Sequence, residues 1–504
     1  MRIDFRANTQ HVPPNIPPSV QKATTKFLGT RADVVKLLGA EQWETLRQAG
    51  HEIRRHAIDH LDHYLVQMEE QVIKAGGHVH WARDAEEARR IVLDIAQQHN
   101  VKRIVKAKSM ATEEIHLNHA LQDAGIQALE TDLGEFIVQL AGMGPSHILV
   151  PAVHLTKEDI ADLFHDKLGV DAPPDPIKLA AIARTRLREA FLSADMGISG
   201  ANFMVAETGT IVLVTNEGNG RMCTTLPRVH VAIAGIDKIV PDMESLSVLL
   251  KLLARSATGQ KISTYTSFIT GPRRADDETG PQEFHLVLLD NGRTRILRDE
   301  LTRDTLLCIR CGACLNICPV YNNVGGYAYG GVYSGPIGAI LSPQLLGTSI
   351  AADLPFASSL CGACGEICPV KIPIPAILLH LRHRVVEGDA IEPPIAPPII
   401  RVGAEVGAIG LSTPWLYRFG SQALKIAQIP LTKDGWMAKL PPPLNRWTMV
   451  RPMPAFGADF RSWWDRRVGK PRTSPRMRNL ALAAIIVEAT LFVAWLLMRK
   501  RNRR

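Results

Sequence analysis

Seven of the chain's eight cysteines fall within residues 308–368, in two runs with nearly the same spacing. The first run, CIRCGACLNICPVY, has a C-x2-C-x2-C-x3-C-P pattern. The second, SSLCGACGEICPVKIP, has Ser358 where the first run has its leading cysteine. This spacing is typical of bacterial ferredoxins with two iron–sulfur clusters. Because three thiolates of one tight loop can reach three irons of a cube while the fourth points away, the runs predict two neighbouring cubane-type clusters.

In such proteins the last cysteine of each run binds the cluster of the other run. The predicted ligands of cluster 1 are Cys308, Cys311, Cys314 and Cys368. Those of cluster 2 are Cys318, Cys361 and Cys364. The fourth iron of cluster 2 is then bound by Ser358, water, a partner or a substrate, or it is absent. A zinc site uses four ligands in closed pairs, and disulfides suit neither a reducing compartment nor this spacing. Electron transfer is therefore the predicted role.

The remainder of the chain predicts an α/β fold ahead of the cysteines. Apolar residues at three- and four-residue intervals predict helices in an N-terminal segment, residues 1–75. In 76–295, strand-like segments such as HVHWA, RIVKAK and IQALET alternate with helical ones such as ATEEIHLNHALQDAG, and the alternation continues through SHILVPAVHL. This order predicts a mainly parallel sheet covered by helices. Residues 296–385 are the predicted helical two-cluster ferredoxin domain, 386–475 a proline-rich segment and 476–504 a basic, apolar tail.

The positive charge is concentrated in the last part of the chain. The chain's net charge is +8, but residues 451–504 carry 13 Lys or Arg against 3 Asp or Glu, which leaves the remainder slightly acidic. This distribution favours an anionic membrane surface over nucleic acid. With no secretory signal and with clustered cysteines, the sequence predicts a cytoplasmic protein. The apolar run Leu480 to Met498 predicts a helix at the cytoplasmic face of the inner membrane, because a span would export the arginines that follow it. A tail packed against a partner subunit is the alternative.

A glycine-rich loop, NEGNGRM, follows a predicted strand of the α/β part. Its candidate ligand-binding residues are Asn216, Gly218, Gly220 and Arg221. Backbone N–H groups together with an arginine can hold a carboxylate or a phosphate. The alternative is a β-turn with a surface arginine, since the longer phosphate-loop signature is missing. No catalytic residue is predicted, because no nucleophile–base or paired-carboxylate pattern stands out.

Long stretches of the chain resemble the lactate utilization protein B family, the iron–sulfur member of a three-protein bacterial L-lactate oxidation system. In the α/β part the resemblance rests on KAKSMATEEIHLN, ETDLGEFIVQLAGMGPSHILVPAVH and AETGTIVLVTNEGNGRMCTTLPRVHVAIAGIDKIVP. In the cysteine part it rests on GGYAYGGVYSGPIGAILSP and on both cysteine runs, including the absent first cysteine of the second. All seven cysteines match the pattern of the family.

The resemblance implies a LUD domain similar to the CoA-transferase and formyltetrahydrofolate cyclo-ligase fold, with two [4Fe–4S] clusters. It further implies that the chain works with other subunits of a complex, passing electrons from L-lactate, as it becomes pyruvate, to a membrane acceptor. Spacing alone predicts only the clusters; the lactate assignment comes from the resemblance. Two alternatives stay open. In the first, the chain is the iron–sulfur subunit of a different membrane-linked dehydrogenase. In the second, its α/β domain is a small-carboxylate-binding enzyme.

Overall fold

The structure, a computed structural model, describes residues 2–441, 445–448, 451–457 and 460–468. The chain divides into two compact units, Met1–Pro397 and Pro398–Arg504. The basic, apolar tail predicted over residues 476–504, with its predicted membrane-surface helix, lies outside the described residues. Within the described part of the chain, no helix has both the length and the apolar character needed to cross a membrane.

The first unit contains two β-sheets. Its strands are β1 (His78–Ala82), β2 (Arg103–Lys106), β3 (Gln127–Glu130), β4 (Met196–Ser199), β5 (Phe203–Val205), β6 (Thr210–Thr215), β7 (Val229–Gly235), β8 (Ile239–Val240), β9 (Tyr265–Ile269) and β10 (Glu283–Leu289). The larger sheet has the order β1-β10-β7-β4-β2-β3, and all of its neighbouring strands are parallel. Strand β7 is buried along its whole length, as expected in a sheet covered on both faces. The predicted mainly parallel sheet is therefore confirmed.

The smaller sheet has the order β8-β5-β6-β9, in which the hairpin of β5 and β6 is antiparallel.

The helices of the first unit are α1 (Phe5–Gln10), α2 (Ile16–Leu38), α3 (Ala40–Asp59), α4 (Leu61–Lys74), α5 (Ala85–Gln98), α6 (Met110–Glu114), α7 (Leu117–Asp123), α8 (Leu133–Leu140), α9 (Lys157–Leu168), α10 (Pro176–Ser193), α11 (Asn219–Thr225), α12 (Met243–Thr258), α13 (Arg293–Leu297), α14 (Ala313–Ile317), α15 (Pro319–Val324), α16 (Gly335–Leu346), α17 (Thr348–Ala351), α18 (Ala363–Ile367) and α19 (Ile374–Glu387). Side-chain caps fix several starts: the Asp84 carboxylate accepts the N–H of Glu87 at 2.9 Å at the start of α5.

Two segments differ from the pattern that the sequence predicts. The helix predicted over ATEEIHLNHALQDAG breaks into α6 and α7 at His116, whose φ is +50°. Residues 146–154 form no strand. There, the His147 ring accepts the N–H of Leu149 at 3.0 Å, and Ser146 N–H donates to the Pro151 carbonyl at 3.0 Å. These local bonds satisfy the backbone without a strand partner.

The N-terminal helices join the α/β part to the cysteine region. Helix α2 packs against α12 and also against α14 and α15, and α3 packs against α12. One hydrophobic core runs through all of them and includes Val20, Leu249, Leu315 and Ile377. Because this core is shared, the cysteine loops rest on a rigid base.

The second unit is described in part. The helices in its described residues are α20 (Pro398–Ser412), α21 (Pro414–Ala427), α22 (Asn445–Thr448) and α23 (Phe460–Val468). Helices α20 and α21 pack on each other, and strands β11 (Trp436–Met437) and β12 (Met453–Pro454) pair antiparallel.

Candidate iron–sulfur centre

The first cysteine run forms a tight loop that leads into α14. Cys308 follows a 3-10 turn, Arg303–Leu307, and the backbone N–H of Arg310 donates to its Sγ at 3.4 Å. Arg310 and Gly312 both have positive φ, +59° and +72°, which turns the chain sharply between ligand positions. At Gly312 this conformation carries no steric penalty. Backbone N–H groups aimed at a thiol sulfur are suited to an iron–sulfur cluster, whose potential depends on such bonds.

The second run repeats the first in backbone detail. Leu360 and Gly362 have φ of +56° and +87°, and α18 follows as α14 follows the first loop. Helices α14 and α18 pack against each other. The N–H of Leu360 donates to the Ser358 Oγ at 3.1 Å. Ser358 therefore occupies the position of Cys308, with a hydroxyl oxygen in place of the thiol sulfur.

Four thiols form one electrostatic group. Burial raises the pKa of Cys311, and the neighbouring thiols of Cys368 and Cys308 raise it further. Burial also raises the pKa of Cys314, and the neighbouring thiols of Cys311, Cys308 and Cys368 raise it further. Cys368 thus lies with the first run although it belongs to the second. This group has the members of the predicted first ligand set.

The other three thiols form a second group. Burial raises the pKa of Cys364 to about 11, and its thiol neighbours are Cys318 and Cys361. Cys361 is exposed, and hydrogen bonds from the N–H of Ala363 and the hydroxyl of Ser359 lower its pKa. This group has the members of the predicted second set, and it reaches the surface at Cys361. For both groups, the role as cluster ligands stays a prediction.

The spacing of the sulfurs suits a cluster better than a single ion. Four thiolates around one zinc ion, each at about 2.3 Å, lie about 3.8 Å apart. Among the described residues, no three cysteine sulfurs belong to a set of ligand atoms within 4.8 Å of one another. The thiols are thus grouped as neighbours but are more widely separated than a mononuclear site requires.

Arginines of the N-terminal helices hold the second run in place. Arg47 of α3 donates from Nη2 to the carbonyl oxygens of Glu366 at 2.8 Å and Cys368 at 2.9 Å. Arg31 of α2 donates to the carbonyl of Ile367 at 3.3 Å. These bonds satisfy the last carbonyls of the short helix α18, which has few intrahelical bonds of its own.

A buried ion network ties the first run to the parallel sheet. The Arg310 Nη2 lies 3.4 Å from the Asp237 Oδ2, just after β7. Asp237 also pairs with Arg293 at 2.5 Å, and Arg293 pairs with Glu114 at 2.8 Å. The opposing cations hold the pKa of Asp237 below its usual range against the effect of burial. Tyr333 completes the network through a 2.8 Å hydrogen bond to Glu114.

A cavity of about 560 Å³ lies at the carboxyl ends of the parallel strands and touches this network. Its cationic lining residues include Lys108, Lys238 and Arg310, and its acidic ones are Asp132 and Glu217. Burial, followed by the charge of Arg310, lowers the pKa of Lys238 to about 7. Such an edge of an open parallel sheet is where α/β proteins commonly bind ligands.

The segment NEGNGRM, predicted to be a loop, enters helix α11 at Asn219 and lies partly at this cavity. Asn216 and Asn219 line it. Arg221 is exposed and is not a lining residue. Sequence reasoning missed Lys238 and Arg310 as lining residues. The position of Arg310 between Cys308 and Cys311 was the available signal, whereas nothing in the local sequence marks Lys238.

The chain matches known families over most of its length. Residues 65–289 match the LUD domain family and residues 304–372 match the 4Fe-4S dicluster domain family. A DUF162 family protein from Deinococcus radiodurans, known from a crystal structure, is 14% identical and aligns over 45% of this chain and 98% of its own with a TM-score of 0.26.

Relatives named lactate utilization protein B align with most of the chain. The one from Bacillus licheniformis is 46% identical over 89% of this chain and 93% of its own length. That of Geobacillus thermodenitrificans is 47% identical over 87% of this chain and 91% of its own. The dicluster match, together with the two groups of thiols, identifies the cofactors as two [4Fe–4S] clusters, which confirms the sequence prediction. At these identities and coverages, the chain belongs to the lactate utilization protein B family.

Proposed function

We propose that this protein is an electron-transfer subunit of a multi-protein system that oxidises L-lactate to pyruvate. The observation that carries the proposal is the division of seven thiols into two interlocked groups, one without an exposed cysteine and one that reaches the surface at Cys361. Family membership supplies the lactate part, because the relatives are named for lactate utilization. The other proteins of the system are the proposed electron donors, and a membrane carrier is the proposed acceptor.

The bound clusters supply one-electron storage, and the chain's residues hold and tune them. Cys308, Cys311, Cys314 and Cys368 are the proposed ligands of the buried cluster. Cys318, Cys361 and Cys364 are those of the cluster nearer the surface. Ser358 is the proposed fourth ligand of that cluster, since its Oγ accepts a backbone N–H just as the Cys308 Sγ does.

Electrons are proposed to enter or leave near Cys361. This cysteine is exposed, whereas Cys311 and Cys368 are buried, and Arg47 of α3 donates to the carbonyl of Cys368. A redox partner that docks there reaches the second group of thiols without displacing any packed helix. Residues 476–504 are proposed to keep the chain at the cytoplasmic face of the membrane, close to the acceptor.

Growth of a deletion strain tests the proposed function. A strain that lacks the gene should fail to grow on L-lactate as sole carbon source and should grow normally on pyruvate. The wild-type gene should restore growth on L-lactate, and the Cys311→Ala gene should not. Unimpaired growth of the deletion strain on L-lactate would instead favour an iron–sulfur subunit of a different dehydrogenase.

A second function, the binding of a small carboxylate by the α/β domain, is favoured by the cavity. The Lys238 amine lines it with no hydrogen-bond or ion-pair partner among the described residues, and Arg310 lies beside it. A bound carboxylate would offset the repulsion between these two cations and would lie next to the Cys308 loop. Calorimetry on the full chain should show binding of L-lactate or pyruvate that Lys238→Gln weakens about tenfold. Equal binding by the exposed-site control Lys157→Gln would show that the effect is local; no binding by the wild type would refute this function.

A further inference from the structure

Four histidines and one glutamate gather at the edge of the parallel sheet opposite the cavity. His78 and His80 lie on β1, and Glu283 and His285 lie at the start of β10, the neighbouring parallel strand. His99 immediately follows α5, whose C-terminal end reaches the same edge. The cavity and the cysteine loops have no residue in this group, so its chemistry is separate from theirs.

Three ligand atoms of this group have the spacing of a metal site. The Glu283 Oε2 lies 3.2 Å from the His99 Nε2 and 3.5 Å from the His285 Nε2. One ligand atom from each of the three residues lies within 4.8 Å of the other two. Tetrahedral zinc with nitrogen and oxygen ligands at about 2.0–2.1 Å requires ligand atoms about 3.3–3.4 Å apart. The two distances from the Glu283 oxygen, 3.2 Å and 3.5 Å, lie just below and just above that value.

The unpaired nitrogen of His285 is a second, independent observation. Its Nε2 is buried and has no hydrogen-bond partner among the described residues, and the side chain is only 7% exposed. Its other nitrogen, Nδ1, lies 3.1 Å from the His80 Nε2. A metal-binding histidine commonly uses its second nitrogen in this way, which fixes the tautomer and leaves the first nitrogen free to bind.

The third ligand of the group reaches solvent. The Glu283 Oε2 lies within 3.5 Å of both histidine nitrogens. Glu283 is 41% exposed, which leaves room for water as a fourth ligand.

We propose that His99, Glu283 and His285 bind a zinc ion at the amino edge of the sheet. Two imidazoles and one carboxylate are a set that zinc uses in proteins, with a further position open to water. The ion would join the end of α5 to β10, two elements far apart in the sequence. Its expected consequence is a more stable α/β domain.

Metal counting on the full-length, cluster-containing protein tests the proposal. The protein is prepared anaerobically, equilibrated with a slight excess of Zn²⁺ and freed of unbound ion by gel filtration, and zinc and iron are then measured on the same sample. The wild type should retain about one zinc per chain with its iron unchanged, and its unfolding temperature should rise on zinc addition. His99→Ala and Glu283→Gln should each weaken zinc binding at least tenfold and lose that rise.

The matched control is His63→Ala, which removes an exposed histidine of α4 and should keep the zinc. Circular dichroism and iron content establish that each variant is folded. Two results would overturn the proposal: wild-type protein that retains no zinc, or zinc retained equally by the folded His99→Ala and Glu283→Gln variants. Zinc uptake accompanied by loss of iron would also refute it, since the ion would then be held by the cluster cysteines.

Discussion

The guanidinium of Arg310 lies 3.4 Å from the carboxylate of Asp237, Nη2 to Oδ2, and both side chains are buried. Through its backbone, Arg310 also donates a hydrogen bond to the sulfur of Cys308. One residue thus links the first cysteine loop to the end of β7. The charges of the α/β domain are therefore placed to influence the buried cluster.

Removing the Arg310 charge should lower the reduction potential of the buried cluster. Reduction adds negative charge, which a nearby cation stabilises. At an effective dielectric constant of about 20, a unit charge that lies near the cluster without touching it changes the free energy of reduction by about 1–2 kcal/mol. For one electron this corresponds to about 40–90 mV in the reduction potential. Because Asp237 offsets part of this charge, Arg310→Gln should shift the potential toward the lower end of that range in an EPR-monitored redox titration. Arg90→Gln, an exposed change on α5, should leave it unchanged, and an unshifted potential in Arg310→Gln would rule out this coupling.

The interlocked ligand sets make a distinctive prediction about Cys368. Cys368→Ala and Cys311→Ala should lose the same cluster, so their iron content should fall by about half and their EPR spectra should match. Cys364→Ala should lose the other cluster and give a different spectrum. Cys223→Ala is the control, because Cys223 is buried beside Thr131 in the α/β part and should keep all the iron. A Cys368→Ala spectrum that matched Cys364→Ala would mean that each run binds its own cluster.

Changing Ser358 should alter only the cluster nearer the surface. Ser358→Ala removes the proposed oxygen ligand, so that cluster should readily lose one iron and show the EPR signal of a three-iron cluster after brief oxidation. Ser358→Cys should retain four irons and shift the potential of that cluster, because a thiolate replaces an oxygen ligand. Ser349→Ala, an exposed serine change in α17, should behave as the wild type. Wild-type spectra from both Ser358 variants would exclude this residue as a ligand.

Buried histidines should make the protein sensitive to mild acid. His230 is fully buried, and its Nε2 lies 2.8 Å from the Ser199 Oγ. Burial, followed by the charge of His285, lowers its pKa to about 3. In the unfolded state this histidine has a pKa of about 6.5, so it binds the proton more tightly there than in the folded state. The contribution of the uncharged His230 ring to the free energy of unfolding is therefore complete above about pH 6.5 and is lost as the pH falls toward about 3. At about pH 5 the loss is about 2 kcal/mol.

Thermal unfolding checks this pH dependence. Between about pH 7 and about pH 5, the unfolding temperature of His230→Gln should fall less than that of the wild type. The exposed-site variant His63→Gln should follow the wild type. An identical fall in wild type and His230→Gln would contradict the assignment.

The sequence predicts those features that depend on nearby residues. The spacing of Cys308, Cys311 and Cys314 determines a loop geometry by itself, and the alternation of strands and helices predicts a parallel sheet. The order of its strands depends on distant pairings, such as β1 with β10, which no local pattern reveals. The convergence of His99 with Glu283 and the pairing of Arg310 with Asp237 follow from that order, so neither was predictable.

Local patterns also failed where side chains replace regular backbone bonding. The apolar run around Leu149 looks like a continuation of the strand–helix alternation. In the structure, the His147 ring and a bond across to Pro151 satisfy its backbone. Arg221 illustrates a second limit, because the glycine-rich segment predicts a loop, whereas Gly220 and Arg221 lie in helix α11 and the Arg221 side chain is exposed.

Two interlocked clusters are proposed to carry electrons from lactate oxidation. The most direct test of this role is EPR of the anaerobically purified full-length protein with iron counting, before and after addition of L-lactate and the partner proteins. We predict about eight irons per chain, arranged as two [4Fe–4S] clusters, and reduction by L-lactate that requires the partners. Protein that is free of iron or carries zinc in its place, or clusters that stay oxidised with L-lactate and all partners present, would contradict the account.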